Sequence, residues 1–184
     1  MCIRDRFRVQ VLTAYRDVEG MKNLIHRFSP ERVVMVERSA AAELRRCVGG
    51  HCEVLDGADA LVEQAATTDV DTVMAAIVGA AGLPATFAAA RAGKRLLLAT
   101  KEALVSAGHL LMDEVRHSGA EILPVDSEHN AIFQCLPQSY TCGARPKGVR
   151  RLILTASGGP FREWNIEQMR AATPAQAVAH PNWE

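Results

Sequence analysis

Apolar residues recur along this chain with two alternating periods. Residues 7–12 (FRVQVL) alternate apolar and polar, the period-two signature of a half-buried strand. Met21, Leu24, Ile25 and Phe28 then fall at helical spacing and predict an amphipathic helix that Pro30 interrupts. Residues 33–36 (VVMV) form an unbroken apolar run, which predicts a strand covered on both faces. Ser39 is placed to cap a helix running through Cys47, residues 52–55 read as a short strand, and Ala58, Leu61, Val62 and Ala65 mark another helix. Residues 72–78 (TVMAAIV) are the strongest candidate for a buried strand; Gly79 and Gly82 follow, and Pro84 opens a helix ending near Gly93. A strand over 95–99, a helix reaching Ser118 and stopped by Gly119, and a strand over 121–125 complete the rhythm. Short strands alternating with helices predict parallel βαβ units in an open α/β sheet.

Near Asp126 the texture changes. Residues 127–136 read as a helix, 138–148 as a polar loop, and 150–155 as a strand running into Ser157-Gly158-Gly159-Pro160. Thr173-Pro174-Ala175-Gln176 is a capping box with proline at the first helical position, and its helix must end before Pro181. The expected organisation is a non-native leader over 1–6, a partial nucleotide-binding domain over 7–122, and the start of a second, α+β domain over 123–184.

Composition supports a folded chain. Of 184 residues, 48% are hydrophobic and 23% charged, enough to bury a core. Twenty-one basic and 21 acidic residues balance, so neither a nucleic-acid stripe nor a membrane-seeking basic tail is expected. Apolar stretches stop well short of a spanning length. Cys2, Cys47, Cys52, Cys135 and Cys142 contain no CxxC pair, which predicts free thiols in a reducing compartment. Cys47, His51 and Cys52 lie close together, but no second pair follows at zinc spacing, so ordinary helix-end residues are the better reading.

Several residues are placed for chemistry. Asp126 and Glu128 stand two apart at a predicted strand end, where period-two geometry puts both carboxylates on one side of the chain. Paired hard oxygens there suit Mg²⁺ or Mn²⁺; the alternative is a solvated strand end with a helix cap. Lys101-Glu102 follows a strand, so the lysine either reaches a phosphate or polarised oxygen or forms a surface ion pair. Ser157-Gly158-Gly159 is either an anion-binding loop or a plain turn. His180 and Trp183 flank a helix terminus, where the indole covers a substrate or enters a core. Gly79-Ala80-Ala81-Gly82 gives small residues beside a dinucleotide or merely tight helix–sheet packing. No GxGxxG occurs.

Taken in order, AAIVGAAGL (75–83), KEALVSAG (101–108), LPVDSEHNAIFQCL (123–136), LTASGGPFRE (154–163) and ATPAQAVAHPNW (172–183) resemble the 1-deoxy-D-xylulose 5-phosphate reductoisomerase family. The resemblance runs from about Phe7 to Trp183, and PVDSEHNAIFQ and SGGPFRE are its most specific parts. It implies a Rossmann-like parallel sheet, lacking its first strand and phosphate loop, followed by the start of an α+β catalytic domain. It implies metal ligands at Asp126 and Glu128, for magnesium, manganese or cobalt. Lys101, Glu128 and His180 become the catalytic residues. Lys101, Ser127, Glu128, Ser157, His180 and Trp183 become substrate contacts, with Trp183 on a loop that closes over the sugar phosphate. NADPH is expected against Arg16, Ala76, Ile77, Val78, Gly79, Thr100, Lys101 and Glu102, with Arg16 facing the 2′-phosphate.

The family's GSTGSIG-type loop precedes the matched region, and its third metal carboxylate and C-terminal helical domain follow it; none is in this chain. Thr100 stands for the family's asparagine, Tyr15 for a glycine, Asp17 for an asparagine and Glu184 for a methionine. The implied reaction rearranges the substrate skeleton to an aldehyde and reduces it with NADPH to 2-C-methyl-D-erythritol 4-phosphate, in non-mevalonate isoprenoid synthesis. A homodimer in the bacterial cytoplasm is expected of the full-length enzyme. Plastid targeting stays open, because the native start is expected to lie upstream. With two of three carboxylates and no phosphate loop, the chain alone is expected to be inactive or nearly so. The competing readings are another Rossmann-type dehydrogenase without a metal pair, and a non-catalytic α/β nucleotide- or metal-binding module.

Overall fold

The structure, a computed structural model, describes residues 7–141, 144–155 and 159–179, with only the backbone of residue 51. Strands and helices alternate through its first two-thirds. The order is β1 (Val11–Ala14), α1 (Val18–Phe28), β2 (Arg32–Met35), α2 (Arg38–Val48), β3 (Glu53–Asp56) and α3 (Gly57–Ala66). It continues with β4 (Thr72–Ala75), α4 (Leu83–Arg91), β5 (Arg95–Leu98), α5 (Glu102–Ser118) and β6 (Glu121–Pro124). Every ladder is parallel, as alternating strand and helix requires.

Burial explains the apolar runs. Within β2, Val33 and Met35 enter one cluster, with Met21 of α1 and Ala41 and Leu44 of α2. Val34 between them enters another, with Leu61 of α3, Ala89 of α4, Leu96 of β5 and Leu111 of α5. Alternate side chains of one strand thus feed two cores, which is why the run is apolar without a break. A boundary that tertiary structure shortened is 72–78: the ladder holds only Thr72–Ala75, and Ala76, Ile77 and Val78 leave the sheet beyond it.

The parallel α/β architecture is as expected, and its strands lie in two three-stranded sheets, ordered β1-β2-β3 and β4-β5-β6. They belong to one compact unit, which takes in the described residues up to 126. Continuity is carried by side chains rather than a ladder. Helix α3 packs on β2 and β3 and on α4, and Val34 of the first sheet shares its cluster with Leu96 of the second.

Two other expectations are corrected here. The first strand lies at Val11–Ala14, with 7–10 outside it, because pairing with Arg32–Met35 sets its register. Ser39 lies inside α2; Glu37 is the N-cap and makes no side-chain cap bond. The Ser39 hydroxyl instead donates to Glu37 Oε1 at 2.5 Å.

The second compact unit comprises the described residues of 127–140 and of 145–179. Its described elements are α6 (Ser127–Cys135), a 3-10 turn at Gly159–Phe161, α7 (Ile166–Arg170) and α8 (Pro174–Val178). The capping box at Thr173 and Gln176 forms as the sequence predicts, with Pro174 in the first turn. A second box, Asn165 with Gln168, starts α7 and was not anticipated. The strand expected over 150–155 joins no ladder among the described residues. Leu152, Ile153 and Leu154 are all exposed there; a strand forms only where a neighbour takes its backbone bonds.

Candidate active site

Parallel strands of one sheet all point their C-terminal ends the same way, so β4, β5 and β6 deliver three loops to one edge. That edge is where open α/β sheets bind ligands. Pairing extends beyond the ladders. The Ala99 amide donates to Ala75 O at 3.0 Å, and the Val125 and Asp126 amides to Leu98 O at 2.8 and 3.3 Å. The stretches 76–79, 99–102 and 125–126 therefore leave the sheet side by side.

Lys101 is the N-cap of α5, and its carbonyl accepts from the Leu104 and Val105 amides at 3.0 and 2.9 Å. With the backbone held, its ammonium reaches across to β6 and lies 3.0 Å from Asp126 Oδ2. The lysine side chain is 56% exposed and the aspartate 14%, so a largely enclosed carboxylate faces a cation that opens to solvent. Thr100 and Glu102 flank Lys101, both half-buried.

After β4, Ala76 and Val78 are exposed and Ile77 is half-buried. Gly79 takes φ +75°, and a Cβ there would meet nothing within 4 Å. Gly82 is the opposite case, since a Cβ would sit 2.7 Å from the Ile77 carbonyl oxygen. One glycine supplies a backbone turn with open space above it; the other lets the start of α4 press against the strand end. The stretch 76–79 thus forms an open ledge beyond the end of β4.

Arg16 lies just past the end of β1, outside the first sheet. It is exposed, and Asp17 after it caps α1 by accepting from the Gly20 amide at 2.8 Å. The neighbouring strand end carries Glu37 and Arg38, which the sequence reading passed over. The signal was available in the charged residues directly after the buried run of β2.

Ser127 and Glu128 open α6 in the second unit, in its first helical turn. Period-two geometry therefore does not govern the acidic pair. The β6 ladder ends at Pro124 and Glu128 follows helical geometry. Among the described residues, no group of three His, Cys, Asp or Glu side chains gathers to hold a metal. The donor chemistry of Asp126 and Glu128, carboxylate oxygen only, fits a hard divalent ion. Ser157, His180 and Trp183 lie outside the described residues.

The Cys47–Cys52 neighbourhood is structural. Cys52 is buried in the α1–α2 core and its burial pushes the thiol up from its ordinary value, whereas Cys47 is exposed. A cleft of about 330 Å³ beside Cys47, Lys22, His26 and Ser29 is formed by the C-terminal ends of α1 and α2. In a parallel α/β unit those ends face away from the strand C-termini, so this cleft is not the candidate site. Among the described residues, no helix is long and apolar enough to cross a membrane.

Comparison with known proteins adds independent findings. The family model for 1-deoxy-D-xylulose 5-phosphate reductoisomerase matches residues 2–108, and that for its C-terminal domain matches 122–184. The chain is 57% identical over 182 residues to the reductoisomerase of Aromatoleum aromaticum, covering 97% of this chain and 45% of that one. It is 52% identical over 180 residues to the one from Laribacter hongkongensis, with 97% and 46% covered. Among solved structures, the Zymomonas mobilis enzyme in complex with NADPH superimposes with TM-score 0.79 at 48% identity, over 97% of this chain and 46% of that one. A reductoisomerase in complex with NADPH, fosmidomycin and magnesium gives 0.77 at 43%, over 98% and 46%. The chain thus spans slightly less than half the length of the relatives it matches. It belongs to the 1-deoxy-D-xylulose 5-phosphate reductoisomerase family.

Proposed function

We propose that this chain supplies the nicotinamide-binding side and the first part of the catalytic side of a 1-deoxy-D-xylulose 5-phosphate reductoisomerase. The reaction yields 2-C-methyl-D-erythritol 4-phosphate. The observation that carries the reading is the 3.0 Å pairing of Lys101 with Asp126 at the shared edge of β5 and β6. A cation and a hard-oxygen donor stand together where parallel sheets bind ligands.

The residues divide the work. Asp126 and Glu128 are the proposed ligands of a magnesium, manganese or cobalt ion. Lys101, whose ammonium stands 3.0 Å from Asp126 Oδ2, would present that charge to the substrate oxygens and stabilise developing negative charge there. Ser127 and Ser157 donate hydrogen bonds to the sugar phosphate, His180 orients it, and Trp183 excludes water above it. Ala76, Ile77, Val78, Gly79, Thr100 and Glu102 border the nicotinamide half of NADPH, and Arg16 meets the 2′-phosphate. When bound, NADPH supplies the hydride and the divalent ion Lewis-acid stabilisation of oxyanion charge. The boundary near residue 122, assembly as a homodimer and a place in the bacterial cytoplasm belong to the same reading.

The test joins this chain to the flanking segments of the Aromatoleum aromaticum relative and assays NADPH oxidation with 1-deoxy-D-xylulose 5-phosphate. Asp126→Asn and Glu128→Gln should each abolish metal-dependent turnover. Turnover retained by either variant removes that residue from the ligand set.

A further inference from the structure

We propose that Arg38 is a second guanidinium for the adenosine 2′-phosphate, acting beside Arg16, and that Tyr15 offers its ring to the adenine. The proposal rests on the NADPH reading above and adds two residues to it.

Backbone pairing places the three together. Past the β1–β2 ladder, the Val36 amide donates to Ala14 O at 3.0 Å and the Glu37 amide to Tyr15 O at 2.9 Å. The pairs Tyr15-Arg16 and Glu37-Arg38 therefore leave the sheet as neighbours, at the C-terminal ends of parallel strands. Tyr15 is 64% exposed and makes no ring contact among the described residues. An aromatic ring held at a strand end without packing is free to stack on a planar base.

The charges around the pair leave both guanidinium groups available. Arg16 has no ion-pair partner among the described residues. Arg38 is 88% exposed, and its Nε lies 3.7 Å from Asp56 Oδ2. Asp56 is already held by Arg45, whose Nε also donates to Val54 O at 2.9 Å. An exposed, distant ion pair of that kind is weak, so Arg38 gives it up readily for a phosphate dianion.

The nearby acids are each engaged. Asp17 caps α1, Glu19 pairs with Lys22 at 2.6 Å, and Glu37 accepts from Ser39 Oγ. Glu37 would otherwise favour a free ribose hydroxyl and repel a phosphate. Two arginines from adjacent strand ends give a phosphomonoester the forked, charge-assisted donors it binds best.

The experiment titrates the full chain with NADPH and NADH, followed by nicotinamide fluorescence, and with adenosine 2′,5′-bisphosphate by calorimetry. Wild type should bind NADPH at least about tenfold more tightly than NADH, the scale of one charge-assisted phosphate contact. Arg38→Gln should cost about tenfold for NADPH and for the bisphosphate and leave NADH unchanged. Arg38→Lys should fall between, because it keeps the charge and loses the fork. Tyr15→Ala should weaken NADPH and NADH by the same factor. Arg38 is exposed, so circular dichroism should show its variants folded as wild type. An unchanged NADPH-to-NADH ratio in Arg38→Gln, with Arg16→Gln losing the preference, overturns the role of Arg38 and spares the cofactor reading. Wild type that binds neither nucleotide overturns both.

Discussion

The Lys101 ammonium lies 3.0 Å from Asp126 Oδ2, although 25 residues separate them in sequence. Their meeting follows from β5 and β6 being parallel neighbours whose C-terminal ends coincide. On the proposed assignment, a divalent ion at Asp126 would compete with that ammonium for one carboxylate. Lys101→Met should therefore tighten Mn²⁺ binding to the chain by about tenfold, or ~1.4 kcal/mol, while Asp126→Asn abolishes it. Calorimetric titration with Mn²⁺ reads both, and an affinity indifferent to residue 101 counts against the competition.

Gly82 lets α4 begin against the end of β4. Because an alanine Cβ would sit 2.7 Å from the Ile77 carbonyl, Gly82→Ala must move the 76–79 ledge or the helix start. A cost of about 1–3 kcal/mol is expected from such overpacking, together with weaker NADPH binding. The urea midpoint and a fluorescence titration measure the two effects. Destabilisation with unaltered NADPH affinity would separate the ledge from the cofactor.

Arg32, at the start of β2, is paired with Asp69 in the turn between α3 and β4, and Thr67 Oγ1 adds a hydrogen bond to Asp69 at 2.7 Å. The Arg32 guanidinium, with the Thr67 hydroxyl, holds the Asp69 carboxyl at about 2, below its ordinary 3.8. A carboxyl with a depressed folded value binds fewer protons folded than unfolded. Its stabilisation is therefore complete above pH 3.8 and fades as pH falls towards 2. Melting temperatures of wild type and Asp69→Asn should differ near neutrality and converge across that window. Parallel curves would show that the pair contributes nothing pH-dependent.

Leu111 of α5 is 0% exposed in the larger core cluster. Leu111→Ala should cost about 2–5 kcal/mol, the lost transfer energy plus the cavity. Chemical denaturation measures it; a loss below 1 kcal/mol would mean that the core collapses to fill the space.

Local chemistry was legible wherever it acts over a few residues. The apolar run at Val33–Met35 read correctly as a strand buried on both faces. The Thr173–Gln176 box and the stop at Gly119 (φ +76°) formed where the residue types required them. The motifs around Asp126 and Ser157 carry the family's pattern in the sequence itself.

Tertiary structure decided what depends on neighbours distant in sequence. Ladder register moved the first strand to Val11–Ala14 and cut the fourth at Ala75. Residues 150–155 have strand character, yet strand character becomes a strand only when a partner accepts its backbone bonds. Pairing Lys101 with Asp126, and Glu37 with Tyr15 through the backbone, required the parallel sheets themselves. Capping and periodicity are properties of the local chain, whereas a shared sheet edge exists only once separate strands have found their register.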